Sequence, residues 1–599
     1  MAIVPLEKVT IIGPAALQSG VLDDLQSLGC VHLIRLQTDR GQLPEVIPNE
    51  AREALRYLEA SPIRRRPARK TEGYDRGRLI RRVSRVRRLR QALRQEADEL
   101  RQAIDDLRPW GDFRIPDAGG VGGLPLFFYV IPRRETPRIP ADVAREVVTR
   151  DPRFDYVVAV GKPIPESCGW SPVTLDPRPL SELRQRLLAV EDEYENLLWR
   201  RVALTRWVEM LQTDLDRADD QMAKLDAARR TWADGHLFAV QGWAPAAERP
   251  RLESLAAGHD LALRVETPRP EDRPPTLLEN PRVIASAEPC VTFFRTPGYH
   301  AWDPTPIVYV SFSLFFGMIV SDAGYGLLLL GLVGFWGIRF ADTPRRRRWR
   351  RLMLTIAVAV VVYGVLVGSY FGFSPPPGSW ADALRVRWDG QPMMGRQNEM
   401  MLFTVAIGVG HLVLANLISA WRQRRTARSL GHLGWAAILA GGFAFGLGSY
   451  GATEPLAMAG TVAVIVGAVA VFLFSSSRPL WTTNKREQLL RLADGLMQCG
   501  NLSKAFGDVL SYLRLFALGL ASFQLAVTFN GLAADAVGRG GMGVLLGGLI
   551  FVAGHGVNLI LGLMGGVVHG LRLNCIEFFN WSLTEEGYPF QPFRKKAGT

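Results

Sequence analysis

The sequence has 599 residues, 48% of them hydrophobic, and 71 Lys and Arg against 58 Asp and Glu give it a formal net charge of +13. Up to about residue 300 the chain is charged and rich in proline, whereas apolar runs of about 20 residues or more recur after that point, each long enough to cross a bilayer. This division excludes a wholly soluble protein. The arginine clusters beside the apolar runs favour membrane topology and acidic partners over nucleic-acid binding.

The cysteines and the N-terminus indicate a cytoplasmic location for the charged half. Five cysteines lie far apart in the sequence, with no CxxC pair and no Cys/His ligand spacing. The sequence therefore predicts neither a disulfide framework nor a zinc site. The opening stretch MAIVPLEKVTIIG lacks the basic start and sustained apolar core of a signal peptide.

Two small α/β lobes are predicted in the first half. EKVTIIGP and VHLIRL have the pattern of strands and VLDDLQSLG that of a helix, and HLFAVQGWAP and LALRVETP add strands that can complete the same lobe. We assign residues 1–70 and 236–285 to this proximal lobe. LPLFFYVIP and FDYVVAVG predict strands of a distal lobe, residues 115–178.

Two long helical patterns lie between the lobes. Apolar residues follow alternating steps of three and four over 78–108 and again over 181–232, where only Arg201 interrupts them. At about 1.5 Å per residue the helices would reach roughly 45 and 75 Å. We expect an antiparallel coiled-coil rod, the alternative being two unrelated exposed helices. The predicted fold is thus mixed: a cytoplasmic arm of α/β lobes and rod over 1–285, then an all-α membrane domain over 286–599.

The arm contains no recognisable catalytic motif. GxxxxGK[ST], GxGxxG after a strand, HExxH and GxSxG are all absent from its sequence. We therefore expect no cofactor and no ATP site in this chain, and the arm is interpreted as a spacer with a docking tip. DRPPTLLENP, Asp272–Pro281, is a proline-rich linker that leads to the membrane domain.

The membrane domain is predicted to have about eight spans. Apolar runs cover approximately 307–338, 352–373, 399–421, 432–451, 456–475, 505–531 and 544–572. The basic segments at 343–351, 421–429 and 485–491 and the tail PFRKK should all be cytoplasmic by the positive-inside rule. These assignments agree with a cytoplasmic arm if the first run crosses twice and breaks near SDAGYG, Ser321–Gly326. Both termini are then cytoplasmic.

Arg514 and Arg572 lie inside the last two apolar runs. An arginine at the centre of a span costs about 2.5–3.5 kcal/mol on insertion scales, and such residues usually face a protein interior or a wet path. Ser511 and Ser522 share the side of Arg514 at helical spacing, and His569 lies one turn before Arg572. Each arginine could instead snorkel to the membrane surface.

Other polar residues in the apolar runs are candidates to line an ion path. Each alone is more often a hydrogen bond between packed helices. Asp508 and Glu577 lie near predicted cytoplasmic ends, where a carboxylate can be solvated. Taken together, the candidate half-channel residues are Ser511, Asp508, Ser522, Gln524, His555, Asn558, His569, Glu577 and Asp322. His411 and Asn416 are further intramembrane polar residues.

Several motifs resemble one protein family over essentially the whole chain. They are GDVLSYLRLFALGLASFQLA, HGVNLILGLMGGVVHGLRLNCIEFF, SLFFGMIVSDAGYG, GSYFG (368–372) and the proline-rich linker. In this combination the sequence resembles the membrane stator subunit of rotary V-type and archaeal A-type ATPases, called subunit a in eukaryotes and subunit I in prokaryotes.

The resemblance implies a stator function in a prokaryotic cell membrane. Arg514 matches the family's essential arginine and Arg572 its second, and both would face the lipid-facing carboxylates of a rotor ring during proton or sodium flow. The implied partners are this ring, peripheral-stalk subunits, a central-stalk socket subunit, the catalytic ATPase head reached through the stalks, and membrane lipid, with no nucleic acid. His569 and Glu577 also match family positions.

The sequence departs from eukaryotic relatives at two places. LAHAQL is replaced by LASFQL, with Ser522 where the histidine stands, and Gly562 occupies the position of a glutamate ten residues before the second arginine. A histidine relay is therefore absent at Ser522. The alternative function is a stand-alone secondary transporter or channel with a cytoplasmic coiled-coil regulatory arm, and a third is a membrane tether whose rod only binds partners.

Overall fold

The computed structural model describes residues 2–37, 49–68, 72–115, 122–340, 343–388, 391–392, 397–451, 453–476, 478, 484–583 and 585–596. Parts of both predicted lobes, at 38–48, 69–71 and 116–121, lie outside these residues. The chain divides into two compact units, one of residues 1–12 and 241–592 and the other of residues 13–240 and 593–599. The assignment of 1–285 and 286–599 as functional domains stays a prediction.

The described residues form ten strands. They are β1 (Leu6–Pro14), β2 (His32–Ile34), β3 (Leu126–Pro132), β4 (Arg145–Arg150), β5 (Phe154–Val160), β6 (Trp232–Ala233), β7 (Leu237–Pro245), β8 (Ala262–Glu266), β9 (Arg387–Trp388) and β10 (Gln391–Pro392). β3, β5 and β4 make a three-stranded sheet in that order. β1 pairs with β8 with Lys8 opposite Glu266 and Ile12 opposite Ala262.

The helices before the membrane region include three long ones. They are α1 (Gln18–Leu28), α2 (Asn49–Glu59), α3 (Arg76–Leu107), α4 (Leu180–Leu204), α5 (Val208–Arg230), α6 (Arg249–Gly258) and α7 (Glu288–Thr292). α3 and α4 bury a shared apolar core that includes Leu100 and Leu183, and α3 also packs with α2 and α5 around Val83 and Leu211. The second predicted rod helix is not continuous, because the 3-10 turn Thr205–Trp207 separates α4 from α5.

Arg201, the interruption in the second apolar pattern, is buried in the helical packing. Its guanidinium lies over the ring of Tyr57 at 4.1 Å, and its Nε donates to the Tyr57 carbonyl oxygen at 3.2 Å. Burial lowers the pKa of Arg201 from its ordinary value. A planar cation can be accommodated here because an aromatic face and a carbonyl replace water. By contrast, Leu89 is 42% exposed, although it belongs to the apolar residues spaced by three and four in the first long helical pattern, 78–108.

The C-terminal half is helical. Its helices are α8 (Thr305–Val320), α9 (Ala323–Phe340), α10 (Pro344–Val367), α11 (Trp380–Ala383), α12 (Gln397–Arg422), α13 (Arg428–Tyr450), α14 (Glu454–Phe474), α15 (Lys485–Cys499), α16 (Leu502–Leu510), α17 (Leu513–Gly538), α18 (Met542–Arg572) and α19 (Phe579–Ser582). Within the described residues six helical segments are long and apolar enough to cross a membrane, and two shorter apolar helices cover Thr305–Val320 and Ala323–Arg339. The eight-span count stays a prediction.

The first apolar run is interrupted where the sequence predicts, between α8 and α9. α8 ends at Val320, and the following residue, Ser321, has a left-handed φ of 51°; α10 packs closely against this break. The span expected over 352–373 ends earlier in the structure, because α10 ends at Val367, the next residue, Gly368, has φ 78°, and a turn follows in which Phe371 has φ 52°. Phe371 N–H donates to the Asp322 carboxylate at 2.9 Å and not to a carbonyl oxygen of α10. This hydrogen bond stabilises the turn in place of a longer helix.

Gly364 of α10 is expected to be intolerant of a side chain. A Cβ built at Gly364 would lie 2.1 Å from the Ala323 nitrogen, whereas one at Gly331 of α9 meets nothing within 4 Å. We expect Gly364→Ala to destabilise the purified chain by about 1–3 kcal/mol, the usual cost of forced overpacking, because the nearest atoms belong to backbone. Thermal unfolding in detergent measures the effect. Gly331→Ala is the matched control, and an equal effect of the two changes would contradict this packing.

Candidate functional site

Arg514, Arg572 and Glu577 form an ion-pair cluster where the start of α17 lies beside the end of α18. Nη2 of Arg514 donates to Oε1 of Glu577 at 3.0 Å, and Nε of Arg572 lies 3.7 Å from the same oxygen. Nε of Arg514 also donates to the carbonyl oxygen of Ser511 at 3.0 Å. Three of the predicted site residues therefore come together around one carboxylate, and Ser511 joins them through its main chain.

The local backbone explains how Arg572 reaches Glu577. Five residues along an α-helix correspond to a rotation of about 140°, which would place the two side chains on different sides. A π-helical turn, Leu573–Phe578, follows α18 instead. Bonds in such a turn run from residue i to i+5, and π turns frequently occur at functional sites. The turn brings the acid back toward the arginine.

On the other side of the cluster, α16 ends before Ser511 and α17 begins at Leu513. Arg514 thus lies in the first turn of α17, immediately after a break in the apolar segment. At this break the carbonyl oxygen of Ser511 accepts a hydrogen bond from the Arg514 guanidinium. The break therefore helps to position the arginine.

Glu577 is buried whereas the arginines are partly accessible. Its side chain is 2% exposed, against 26% for Arg514 and 51% for Arg572. The expectation that Glu577 can simply be solvated is therefore wrong. Among the residues that the structure describes, Oε2 of Glu577 is buried with no hydrogen-bond partner, and so is Nδ1 of His569. A buried carboxylate oxygen is costly to leave unsatisfied, so Oε2 is a place for a hydrogen-bond donor such as a water.

A second polar cluster connects α9, α17 and α18. The Tyr325 hydroxyl lies 2.6 Å from Nδ1 of His555 and accepts from Nδ2 of Asn558 at 3.0 Å. Oγ of Ser522 donates to Oδ1 of Asn558 at 3.2 Å. Nε2 of His555 contacts Oδ1 of Asn530 at 2.9 Å. The structure therefore brings the candidates Ser522, His555 and Asn558 together.

Asp322 holds the turn after α10. Its carboxylate accepts from the Ser369 hydroxyl at 2.6 Å, from Phe371 N–H at 2.9 Å and from Gly372 N–H at 3.0 Å. It also caps the start of α9 by accepting from Tyr325 N–H at 3.0 Å. The motifs SDAGYG and GSYFG thus meet at one carboxylate. With four donors around it, Asp322 has a clear structural role.

The other polar residues of the apolar runs have different surroundings. Oδ2 of Asp508 accepts from the indole nitrogen of Trp581 at 2.7 Å, and Gln524 has an exposed side chain. His411 lies 2.8 Å from the Tyr512 hydroxyl through Nδ1 and stacks on Phe578 with ring centroids 4.3 Å apart. His411 thus packs beside the π turn that carries Glu577.

Sequence reasoning missed Tyr325, Asn530, Tyr512 and Trp581 as partners of the candidate residues. Tyr325 and Tyr512 lie within the quoted motifs SDAGYG and SYLRL, and this was the available signal. Asn530 and Trp581 are separated from His555 and Asp508 by 25 and 73 residues. Their contacts with His555 and Asp508 are evident only from the packing of the helices.

The glycines of α18 let α8 approach closely. A Cβ at Gly566 would lie 2.7 Å from the Phe316 ring, and one at Gly562 would be 3.7 Å from Val320. These small residues thus let α8 pack against α18, as small-residue faces commonly do between membrane helices.

The chain is similar to known subunits of V-type and A-type ATP synthases. All three of these are named subunit I. The V-type ATP synthase subunit I 1 of Treponema pallidum is 26% identical over 99% of this chain and 100% of its own length. The V-type subunit I of Chlamydia pneumoniae is 26% identical over 83% of this chain and 82% of its own.

The A-type ATP synthase subunit I of Methanocaldococcus jannaschii is 26% identical over 69% of this chain and 63% of its own length. No protein-family model matches the chain. Among solved structures, the crystal structure of the cytoplasmic N-terminal domain of a subunit I, a homologue of subunit a of V-ATPase, covers 43% of this chain and 99% of its own at 17% identity. The TM-score between the two structures is 0.24.

Proposed function

We propose that this chain is the static membrane subunit of a rotary V/A-type ATPase, in which Arg514 and Arg572 face the carboxylates of a rotor ring during proton or sodium flow. The observation that carries the proposal is the cluster of Arg514, Arg572 and Glu577. It is supported by homology to proteins named ATP synthase subunit I over almost the whole chain and by the apolar helices.

The charges of the cluster suit a passing carboxylate. Two guanidinium groups share one carboxylate oxygen, so the three groups together carry one net positive charge, which attracts one rotor carboxylate at a time. At about 4 Å and an effective dielectric near 20 this attraction is roughly 4 kcal/mol. It corresponds to about a thousandfold change in an ionisation equilibrium, enough to make a neutral acid release its proton.

The arginines also have the accessibility and chemistry for this role. Arg572 and Arg514 keep part of their side chains exposed, beside lipid-facing residues such as Met564 and Leu561, which are 61% and 54% exposed. A rotor helix can cover this apolar surface. Because arginine does not give up its proton, it also separates two aqueous half-channels and prevents a direct leak.

Two groups of candidate residues, each wider than the hydrogen-bonded cluster that it includes, are proposed to serve different half-channels. His569, Glu577, Ser511 and Asp508 lie toward one end of α17 and α18, and Ser522, Gln524, His555 and Asn558 toward the middle. Asp322 positions the second group through Tyr325. By the positive-inside rule the first group faces the cytoplasm, as do the arm and both termini. The protein is then a multi-pass protein of the cell membrane.

The remaining parts of the machine are assigned to partners. The arm and its lobes connect to peripheral-stalk subunits and through them to the catalytic head, and the central-stalk socket subunit belongs to the rotor side. ATP chemistry takes place in the head. The membrane helices contact lipid wherever the ring does not cover them.

Transport by the purified chain distinguishes this proposal from a stand-alone transporter or channel. We expect no ion flux in sealed liposomes that contain the full chain alone, because half of the path lies on the rotor. Flux measured with a pH-sensitive dye, and separately with sodium, should appear only after assembly with the rotor ring. Flux through the chain alone that Arg514→Gln abolishes would support the transporter instead.

A further inference from the structure

A cavity of about 490 Å³ lies between α9 and α10, and its lining includes none of the residues of the arginine cluster. Its wall combines aromatic, cationic and aliphatic side chains, among them Trp336, Trp349, Arg346, Arg350, Leu332 and Val333. A site built of guanidinium groups at one end and apolar side chains at the other fits an amphipathic anion.

The cationic end belongs to the strongest basic cluster of the chain. Residues 345–351 read RRRRWRR, six arginines in seven positions. Nη1 of Arg350 donates to the Gly337 carbonyl oxygen at 2.8 Å, which ties α10 to the C-terminal part of α9. Arg350 therefore shapes the cavity, and Arg346, four residues earlier on the same helix, also lines it. Juxtamembrane arginines attract anionic lipids by about 1 kcal/mol each, a fivefold effect.

The apolar end opens on a surface suited to hydrocarbon. Trp336 is 60% exposed, Phe335 68% and Ile338 90% in the chain alone. Tryptophan commonly occupies the interface between headgroups and acyl chains. A small soluble anion would leave this apolar wall uncovered, whereas a lipid would place its acyl chain there and its phosphate at the arginines.

We propose that this cavity binds an anionic phospholipid of the leaflet next to the basic segment. The phosphate lies against Arg346, and one acyl chain runs along Trp336, Leu332 and Val333. The site is independent of the proposed ion path. The lipid covers a surface of the α9–α10 hairpin that the described residues leave exposed.

The test compares neighbouring arginines on α10. The full chain is reconstituted into nanodiscs of phosphatidylcholine with a minority of phosphatidylglycerol, and the phosphatidylglycerol retained per chain is counted by native mass spectrometry. Arg346→Gln removes a contact to the phosphate as well as a juxtamembrane charge, so it should lower retention by clearly more than the about fivefold effect of the charge alone. Arg347→Gln removes the same charge from an exposed residue outside the cavity and should lower retention by no more than about fivefold. Equal losses would mean diffuse charge attraction and would overturn the site.

A second pair of variants tests the apolar end with every charge kept. Val333→Phe fills the cavity and should lower retention, whereas Leu328→Phe, on the exposed face of α9 and outside the cavity wall, should not. Unchanged retention in Val333→Phe would overturn the acyl-chain assignment. Excess glycerol phosphate should fail to displace the lipid, since displacement would show that the headgroup alone is recognised.

Discussion

Replacement of Arg514 by glutamine is expected to abolish ATP-driven ion transport by the assembled complex. The change removes the guanidinium that donates to Glu577 and to the Ser511 carbonyl. Without it, an attraction of roughly 4 kcal/mol toward a rotor carboxylate is lost, and ion uptake into sealed vesicles should fall by at least about a hundredfold. Uptake is measured by dye quenching with the catalytic head coupled.

The matched control for this variant is Arg539→Gln. Arg539 directly follows α17 and is exposed, so the same charge is removed from the far end of the same helix. Uptake should stay close to that of the unmodified complex. Retained pumping in a correctly assembled Arg514→Gln complex would refute the role given to this arginine.

Glu577→Gln is expected to slow pumping by about tenfold or more while the complex still assembles. The side chain keeps its shape but loses its charge, so the cluster changes from one net positive charge to two. Two unopposed cations about 4 Å from a rotor carboxylate would hold it too tightly for release, since each adds several kcal/mol at an effective dielectric near 20. The buried position of Glu577 makes solvent a poor substitute.

A double variant separates the charge effect from simple damage. Arg572→Gln combined with Glu577→Gln restores one net positive charge, carried by Arg514, and should pump faster than Glu577→Gln alone. Glu585→Gln, a change at an exposed acid further along the chain, serves as the control. A double variant no faster than Glu577→Gln would contradict the charge account of the cluster.

Local sequence patterns indicated much of the helical framework. The interruption near Ser321 was visible because Asp322 and two glycines break an apolar run, and the structure has it between α8 and α9. The 3-10 turn at Thr205–Trp207 was not visible, since the apolar pattern continues through it. The end of α10 was missed for a different reason. GSYFG is apolar enough to extend a helix, but the N–H groups of Phe371 and Gly372 donate to Asp322, which is far away in the sequence.

The site was only partly predictable from the sequence. Arg514 stood out as a charge in an apolar run, and Glu577 was a candidate because of its position after Arg572. Their contact was missed because 63 residues separate them, and local spacing carries no information about such a pair. The π turn that aims Glu577 also has no signature in helical periodicity, which assumes 3.6 residues per turn.

The most direct measurement of the central claim is a disulfide cross-link between the chain and the rotor. Ala517 is exposed in the helical turn after Arg514, so Ala517→Cys in the assembled complex should link to a cysteine placed beside the rotor carboxylate. Mass spectrometry should detect a product of the two subunits. Leu328→Cys, exposed on α9, should give none. An assembled, pumping complex that yields no product at Ala517→Cys, or equal products at both positions, would contradict the placement of Arg514 against the rotor.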